Sequence, residues 1–400
     1  MNTTRKPTTR SKLASGLFIP GLLIATAMPG PGGLPPAQAQ TPQSCNQVLT
    51  PGCLYFPAVR YAVDRIESAV TYTDIVGLQR TVPIAIRLPI GAPAPMPVVI
   101  WSHGGAEGRT DPTTTMLEWS QTTAEAGYLT ISLAHPPRSD LEIDRRPLCE
   151  AIAAAVPGNV WDLGNRATCE VFKHLNWDRP HDIRAVLDDL AVKNTQGPFQ
   201  GLIDQDRIAV GGHSAGAGGA LTVGGALRNF TGTPVDLSDP RRRPAAFLAF
   251  SPQAPGSEGF FDTAFGQPTH SWMRISRPVL IGTGDGDSTC DALEEPGSCF
   301  GDTPHGRRLA FDRLPSGDKY RIYIRDVDAF HGLFSLGTDN QKCGQPGLTQ
   351  QKCDDIAHTL RSTALAFLDG VLRGDALALQ WLQRGEVAAA TGGVAEWTRK

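Results

Sequence analysis

A serine flanked by glycines is the residue best suited to act as a nucleophile. It lies in the segment Gly212-His213-Ser214-Ala215-Gly216, which has the pattern G-x-S-x-G. An apolar, β-prone run at 207–210 precedes this segment and a run of small residues at 215–227 follows it, so the pattern predicts a turn from a strand into a helix. Such a turn strains the backbone of the serine, and the residues two positions away must be small. We therefore predict that Ser214 is a nucleophile, although the pattern alone also fits a glycine-rich β–α turn without chemistry.

A serine nucleophile needs a base, and the base needs an acid that orients it. Among the nine histidines, His331 follows a late predicted strand and is the expected base; a loop histidine that caps the last helix is the alternative. Asp285 and Asp287 both follow the predicted strand at 278–281, and Asp285 is preferred because it lies nearer to the end of that strand. The chain order Ser214, Asp285, His331 resembles that of α/β-hydrolases.

An enzyme of this kind also needs backbone N–H groups that bind the oxyanion of the reaction intermediate. The amide of Ala215, directly after the serine, is one expected donor. The second is expected in Ser102-His103-Gly104-Gly105-Ala106, the loop after the predicted strand at 98–101. We favour Gly105, with Gly104 and Ala106 as alternatives, and expect His103 to bond the loop rather than to catalyse.

Elements that would position these residues alternate between strand and helix, which predicts an α/β fold with a mostly parallel central sheet and helices on both faces. Ligand sites in such sheets lie at the carboxyl ends of the strands. The predicted strands are 70–74, 81–88, 98–101, 128–133, 207–210, 246–250, 278–281 and 320–324, and the predicted helices are 113–126, 183–192, 215–227, 305–314 and 355–372. An insertion at about 138–180, which contains Trp161 and Trp177, interrupts the alternation and is expected to overhang the site as a lid.

The first 39 residues have the features of a secretory signal peptide. Four basic residues precede a short apolar stretch at 13–28, and Ala37-Gln38-Ala39 forms a cleavage signal. The stretch is too short to span a bilayer comfortably, so a retained anchor is the less favoured alternative. We predict that residues 40–400 form a single catalytic domain that is secreted or periplasmic.

All eight cysteines lie after the signal peptide, which predicts disulfides. Their close spacing favours four local bridges: Cys45–Cys53, Cys149–Cys169, Cys290–Cys299 and Cys343–Cys353. The spacings do not suit a tetrahedral zinc site. We expect neither a metal nor a cofactor. The chain carries a formal net charge of −3 and has no basic patch that indicates nucleic-acid binding, and its oligomeric state is left open.

Longer stretches of the chain resemble the α/β-hydrolase superfamily, in particular the secreted bacterial branch near platelet-activating-factor acetylhydrolase and dienelactone hydrolase. The resemblance spans residues 70–370 and is carried by the segments 97–105, 126–128, 134–136, 179–183 and 206–216. It implies an α/β-hydrolase fold and hydrolysis of small or short-acyl carboxylic esters through an acyl-enzyme. The insertion at about 138–180, which the expected Cys149–Cys169 bridge would staple over the site, departs from the compact members of this branch. Dienelactone hydrolase uses a cysteine nucleophile where this chain has Ser214. A polyester hydrolase or cutinase, a lipase-type enzyme, an acyltransferase and a non-catalytic binding protein are the alternatives.

Overall fold

The computed structural model describes residues 45, 49–105, 109–138, 174–229, 234–253, 269–288, 303–336 and 342–400. All of them belong to one compact unit, Pro42–Lys400. The expected signal peptide and most of the insertion lie outside the described residues. So do Ala106, Trp161 and four of the cysteines: Cys149, Cys169, Cys290 and Cys299.

A nine-stranded sheet forms the centre of the described structure, in the order β1-β2-β4-β3-β5-β8-β9-β10-β11. The six strands from β4 to β10 in this order are parallel, whereas β1, β2 and β11 pair antiparallel at the two sides. A separate ribbon joins β6 to β7. The strands are β1 Val63–Thr73, β2 Gln79–Pro89, β3 Met96–Ser102, β4 Leu129–Leu133, β5 Ile203–His213, β6 Arg228–Asn229, β7 Pro234–Val235, β8 Ala246–Phe250, β9 Val279–Gly284, β10 Lys319–Ile324 and β11 Ala395–Arg399.

Helices cover both faces of this sheet, as the alternation of elements predicts. The helices are α1 Leu117–Glu125, α2 His174–Lys193, α3 Ala215–Val223, α4 Pro304–Asp312, α5 Gln350–Leu368, α6 Ala376–Arg384 and α7 Glu386–Ala390. Along β3, Val99 and Trp101 join the cluster formed with α1, α5 and α6, while Val98 and Ile100 join the cluster formed with α2, α3 and α4. β3 is apolar from Met96 to Trp101 and is buried at every position, as expected of a strand that is covered on both faces.

The insertion ends earlier than the sequence indicates. Helix α2 begins at His174, so residues 174–180 belong to the helix rather than to the insertion. Trp177 is buried there and packs against Leu237, outside the insertion. At the base of the insertion, the guanidinium of Arg138 forms two hydrogen bonds of 2.8 and 2.7 Å with the carboxylate of Asp178.

Two of the four expected disulfides fall within the described residues, and both are formed. Cys45 and Cys53 are joined with their Cα atoms 5.3 Å apart, and Cys343 and Cys353 with theirs 6.1 Å apart. Among the described residues, no helix is long and apolar enough to cross a membrane.

Candidate active site

Ser214 occupies a sharp turn between β5 and α3, with φ 53° and ψ −120°. A Cβ atom on Gly212 would lie 2.7 Å from the backbone nitrogen of Ala217, and one on Gly216 would lie 2.7 Å from the carbonyl oxygen of His103. Neither position has room for a side chain, so the expectation that both neighbours must be small is confirmed. The strained backbone at Ser214 is held by its N–H, which donates to the carbonyl of Phe250 over 2.9 Å.

The carboxylate that meets His331 belongs to Asp287. His331 Nδ1 lies 2.8 Å from Asp287 Oδ1. The preference for Asp285 is therefore corrected, because the side chain of Asp285 accepts a hydrogen bond of 2.6 Å from the Tyr323 hydroxyl instead. The bond to Asp287 leaves Nε2 of His331 as the ring nitrogen available to a substrate or a nucleophile.

Asp287 is fully buried and has cationic and neutral hydrogen-bond donors around it. Its Oδ1 lies 3.2 Å from Nε of Arg307, and its Oδ2 accepts a hydrogen bond of 2.8 Å from the hydroxyl of Thr283. Burial raises the pKa of the Asp287 carboxyl, but the charge of Arg307 and the hydrogen bond with His331 outweigh burial, and the pKa is lower than usual. Asp287 is thus a carboxylate at neutral pH and can stabilise a protonated His331.

His213, next to the serine, supports the loop that carries His331. The two imidazole rings have their centroids 4.5 Å apart, and His213 Nε2 donates to the backbone carbonyl of His331 over 3.0 Å. Burial, followed by the proximity of His331, keeps the pKa of His213 well below its usual range, so this ring is neutral. The sequence predicts no such role for His213; its only signal is a polar ring at the first variable position of the G-x-S-x-G segment.

The loop after β3 lies directly against the serine. A Cβ atom on Gly104 would lie 3.0 Å from the Cβ atom of Ser214, so only glycine allows this approach. Gly105 follows with φ 88°, a conformation that favours glycine. Ala215 is the first residue of α3, and the first amides of a helix have no acceptor within it. The two expected oxyanion donors, Gly105 and Ala215, therefore belong to backbone segments on either side of Ser214.

The strand topology explains why these residues converge. The loop of Gly104, the serine, Asp287 and His331 follow β3, β5, β9 and β10 respectively, and these four strands are parallel. Their carboxyl ends share one edge of the sheet, where α/β proteins bind ligands. No group of His, Cys, Asp and Glu side chains that could hold a metal ion occurs among the described residues.

Comparison of the chain with protein-family models gives no match, and comparison with curated proteins gives no significant match.

Proposed function

We propose that the chain is a serine carboxylic-ester hydrolase of the α/β-hydrolase superfamily. The observation that carries the proposal is the Asp287–His331 pair, whose imidazole packs against the ring of His213, the residue directly before Ser214 in the strained strand-to-helix turn. Two further features fit this superfamily. One is the order of the three residues along the chain, and the other is the loop between β3 and α1, which would supply the second oxyanion donor.

In the proposed mechanism, His331 Nε2 takes the proton of the Ser214 hydroxyl as the oxygen attacks the ester carbonyl. Asp287 fixes the tautomer of the imidazole through Nδ1 and stabilises the imidazolium. The amides of Ala215 and Gly105 bind the oxyanion. The imidazolium then protonates the leaving alcohol, which gives an acyl-serine. A water molecule, deprotonated by His331, then attacks the acyl-serine, and the imidazolium returns the proton to the Ser214 oxygen as the carboxylic acid leaves.

We further propose that the substrates are small or short-acyl esters and that the enzyme is exported. Disulfides persist in oxidising compartments, so the Cys45–Cys53 and Cys343–Cys353 bridges support export together with the signal-peptide pattern. The short-acyl preference rests on the resemblance of the sequence to the acetylhydrolase branch.

The test is hydrolysis of p-nitrophenyl esters from acetyl to palmitoyl by the chain expressed for export, with Ser214→Ala beside it. We expect activity that peaks at short acyl chains and disappears in the variant. Ser362→Ala is the matched control, since Ser362 is a buried serine on α5 and should leave turnover unchanged. Full activity in Ser214→Ala would refute the mechanism. A long-chain optimum would replace the short-acyl proposal with a lipase- or polyester-type substrate.

Labelling with a fluorophosphonate separates an enzyme from a binding protein. We expect one label per chain, absent from Ser214→Ala. An unlabelled wild-type chain with no turnover of any ester would overturn the proposed function.

A further inference from the structure

A network of buried polar side chains lies beneath the loop that carries Gly105. Its anchors are Arg179 and Asp182, which are three residues apart on α2 and are 2% and 0% exposed. Neither residue belongs to the mechanism above. Burying two charged side chains is costly unless each has specific partners, so the identity of the partners indicates what the network does.

Arg179 holds two carbonyl groups of the loop. Its Nη2 donates to the carbonyl of Gly105 over 2.7 Å, and its Nη1 donates to the carbonyl of His103. Burial lowers the pKa of the Arg179 guanidinium to about 10, which still leaves it charged at neutral pH. One rigid, planar group thus fixes two carbonyls that lie two residues apart.

His103 holds the carbonyl between them. Its Nδ1 lies 2.7 Å from the carbonyl oxygen of Gly104, and its Nε2 accepts a hydrogen bond of 3.2 Å from the backbone N–H of His135. These partners require the neutral tautomer with the proton on Nδ1. Burial, followed by the charge of Arg179, keeps the pKa of His103 well below its usual range, which agrees with that assignment.

Asp182 is paired through both carboxylate oxygens with the guanidinium of Arg80, over 2.7 and 2.9 Å, and it also fixes His135. Asp182 Oδ2 lies 2.9 Å from His135 Nδ1, and His135 Nε2 lies 2.8 Å from the hydroxyl of Ser102. Ser102, His135 and Asp182 therefore form a second serine–histidine–aspartate chain. Because Ser102 is fully buried, no substrate reaches it, and the chain of bonds holds the end of β3 and the start of the loop in place.

The fixed carbonyls determine where the loop amides point. A trans peptide is planar, so its N–H points opposite to its C=O. With the Gly104 carbonyl held by His103, the N–H of Gly105 is directed away from that ring. Donors fixed before the reaction stabilise a developing oxyanion better than donors that must reorient.

We propose that Arg179 and Asp182 are positioning residues that preorganise the oxyanion hole through the backbone of residues 103–105. This inference rests on the proposed esterase function.

The test is Arg179→Lys in the full chain, assayed on the p-nitrophenyl ester that the wild-type chain hydrolyses fastest. Lysine keeps the charge but cannot bond both carbonyls. We expect kcat per active site to fall about 10- to 100-fold with KM within about twofold, since small misplacements of catalytic groups have effects of this size. Active sites are counted by end-point fluorophosphonate labelling, so unfolded protein does not enter kcat.

Affinity for a transition-state analogue distinguishes positioning from simple stabilisation of the fold. The Ki of an alkylboronic acid, which forms a tetrahedral adduct with serine, should rise in proportion to the loss of kcat. Asp182→Asn, which keeps the size of the side chain, should show the same pattern in weaker form.

Arg87→Lys is the matched control. Arg87 is 1% exposed and bonds the Ser132 hydroxyl and the Thr113 carbonyl, away from the loop. It should lower Tm without changing kcat per labelled site. If Arg179→Lys and Asp182→Asn also keep the wild-type kcat per site, the positioning role is wrong. A wild-type chain that neither labels nor hydrolyses esters would instead refute the proposed function.

Discussion

His331 and Asp287 are joined by a hydrogen bond of 2.8 Å, and the Asp287 side chain in this bond is fully buried. Asp285 lies closer to the strand but its backbone N–H donates to the carbonyl of Ile324, which keeps it beside β10, where its side chain meets Tyr323. The chain then turns, with the N–H of Asp287 donating to the carbonyl of Gly284, and this turn directs the second carboxylate towards the histidine.

The two aspartates should therefore differ sharply on substitution. Asp287→Asn removes the charge that stabilises the imidazolium and allows the wrong tautomer, so we expect kcat to fall by about 10³- to 10⁴-fold. Asp285→Asn is the matched control and should stay within about threefold of wild type, because Asp285 has no contact with His331. The measurement is kcat per fluorophosphonate-labelled site. A larger loss for Asp285→Asn than for Asp287→Asn would reverse the assignment.

The error at Asp285 shows what the sequence can and cannot predict. The rule that ligand sites follow parallel strands indicates the segments after β3, β5, β9 and β10, and the structure brings these segments to one edge of the sheet. The predicted strand ends at Ile281, whereas β9 continues through Gly284. A Cβ atom on Gly284 would lie 2.7 Å from the Ile324 carbonyl oxygen, so this glycine reflects tight packing between strands rather than a turn.

Long-range partners were beyond the reach of sequence patterns. The segments around His135 and Arg179 resemble a family, but the sequence predicts no role for either side chain. Their contacts with Ser102 and Gly105 join residues 33 and 74 positions apart, and no local periodicity encodes such distances. The β11 strand was also missed, because an edge strand of five residues has a weak hydrophobic pattern.

Replacement by alanine should have different effects on stability at two glycines of α3, Gly216 and Gly219. A Cβ atom on Gly216 would collide with the Ser102 carbonyl, and backbone cannot move aside cheaply, so Gly216→Ala should lower the free energy of unfolding by about 1–3 kcal/mol and abolish activity. At Gly219 the nearest atoms are 3.4 Å away, an ordinary contact. Gly219→Ala should be neutral or stabilise the helix by about 0.5–1 kcal/mol. Urea unfolding measures both, and equal losses would contradict the packing argument.

Stability should fall as the pH is lowered below about 6.5. Burial keeps the pKa values of His103, His135 and His213 well below their usual range, so these rings stay neutral in the folded chain and become protonated in the unfolded chain. The unfolded state then binds more protons, and each ring contributes a loss of up to about 1.4 kcal/mol per pH unit. Asp287 has a lowered pKa, so its contribution is complete above about pH 4 and does not enter this range.

His213→Gln should reduce the number of protons taken up on unfolding at acidic pH by about one. Glutamine retains a donor for the His331 carbonyl but does not titrate. Urea midpoints between pH 7.5 and 5 give the comparison. A wild-type stability that is flat over this range would show that the three rings are not held neutral.

Lys352 connects the start of α5 to the loop that leads to His331. Its Nζ lies 3.0 Å from Asp326 Oδ2 and also donates to Asp328, while the neighbouring Cys353 is bridged to Cys343. Its side chain is 39% exposed, so the ion pairs are screened by salt and contribute up to about 1 kcal/mol.

We expect Lys352→Met to lower kcat by about 2- to 5-fold, the rate equivalent of that energy, because His331 is held less firmly. The loss of kcat relative to wild type should become smaller as NaCl is raised from 50 to 500 mM, because salt weakens the wild-type ion pairs. Lys193→Met is the control: it removes the Lys193–Asp189 pair on α2 and should leave kcat unchanged at every salt concentration. Wild-type kcat in Lys352→Met at 50 mM NaCl would show that the ion pairs do not position the histidine loop.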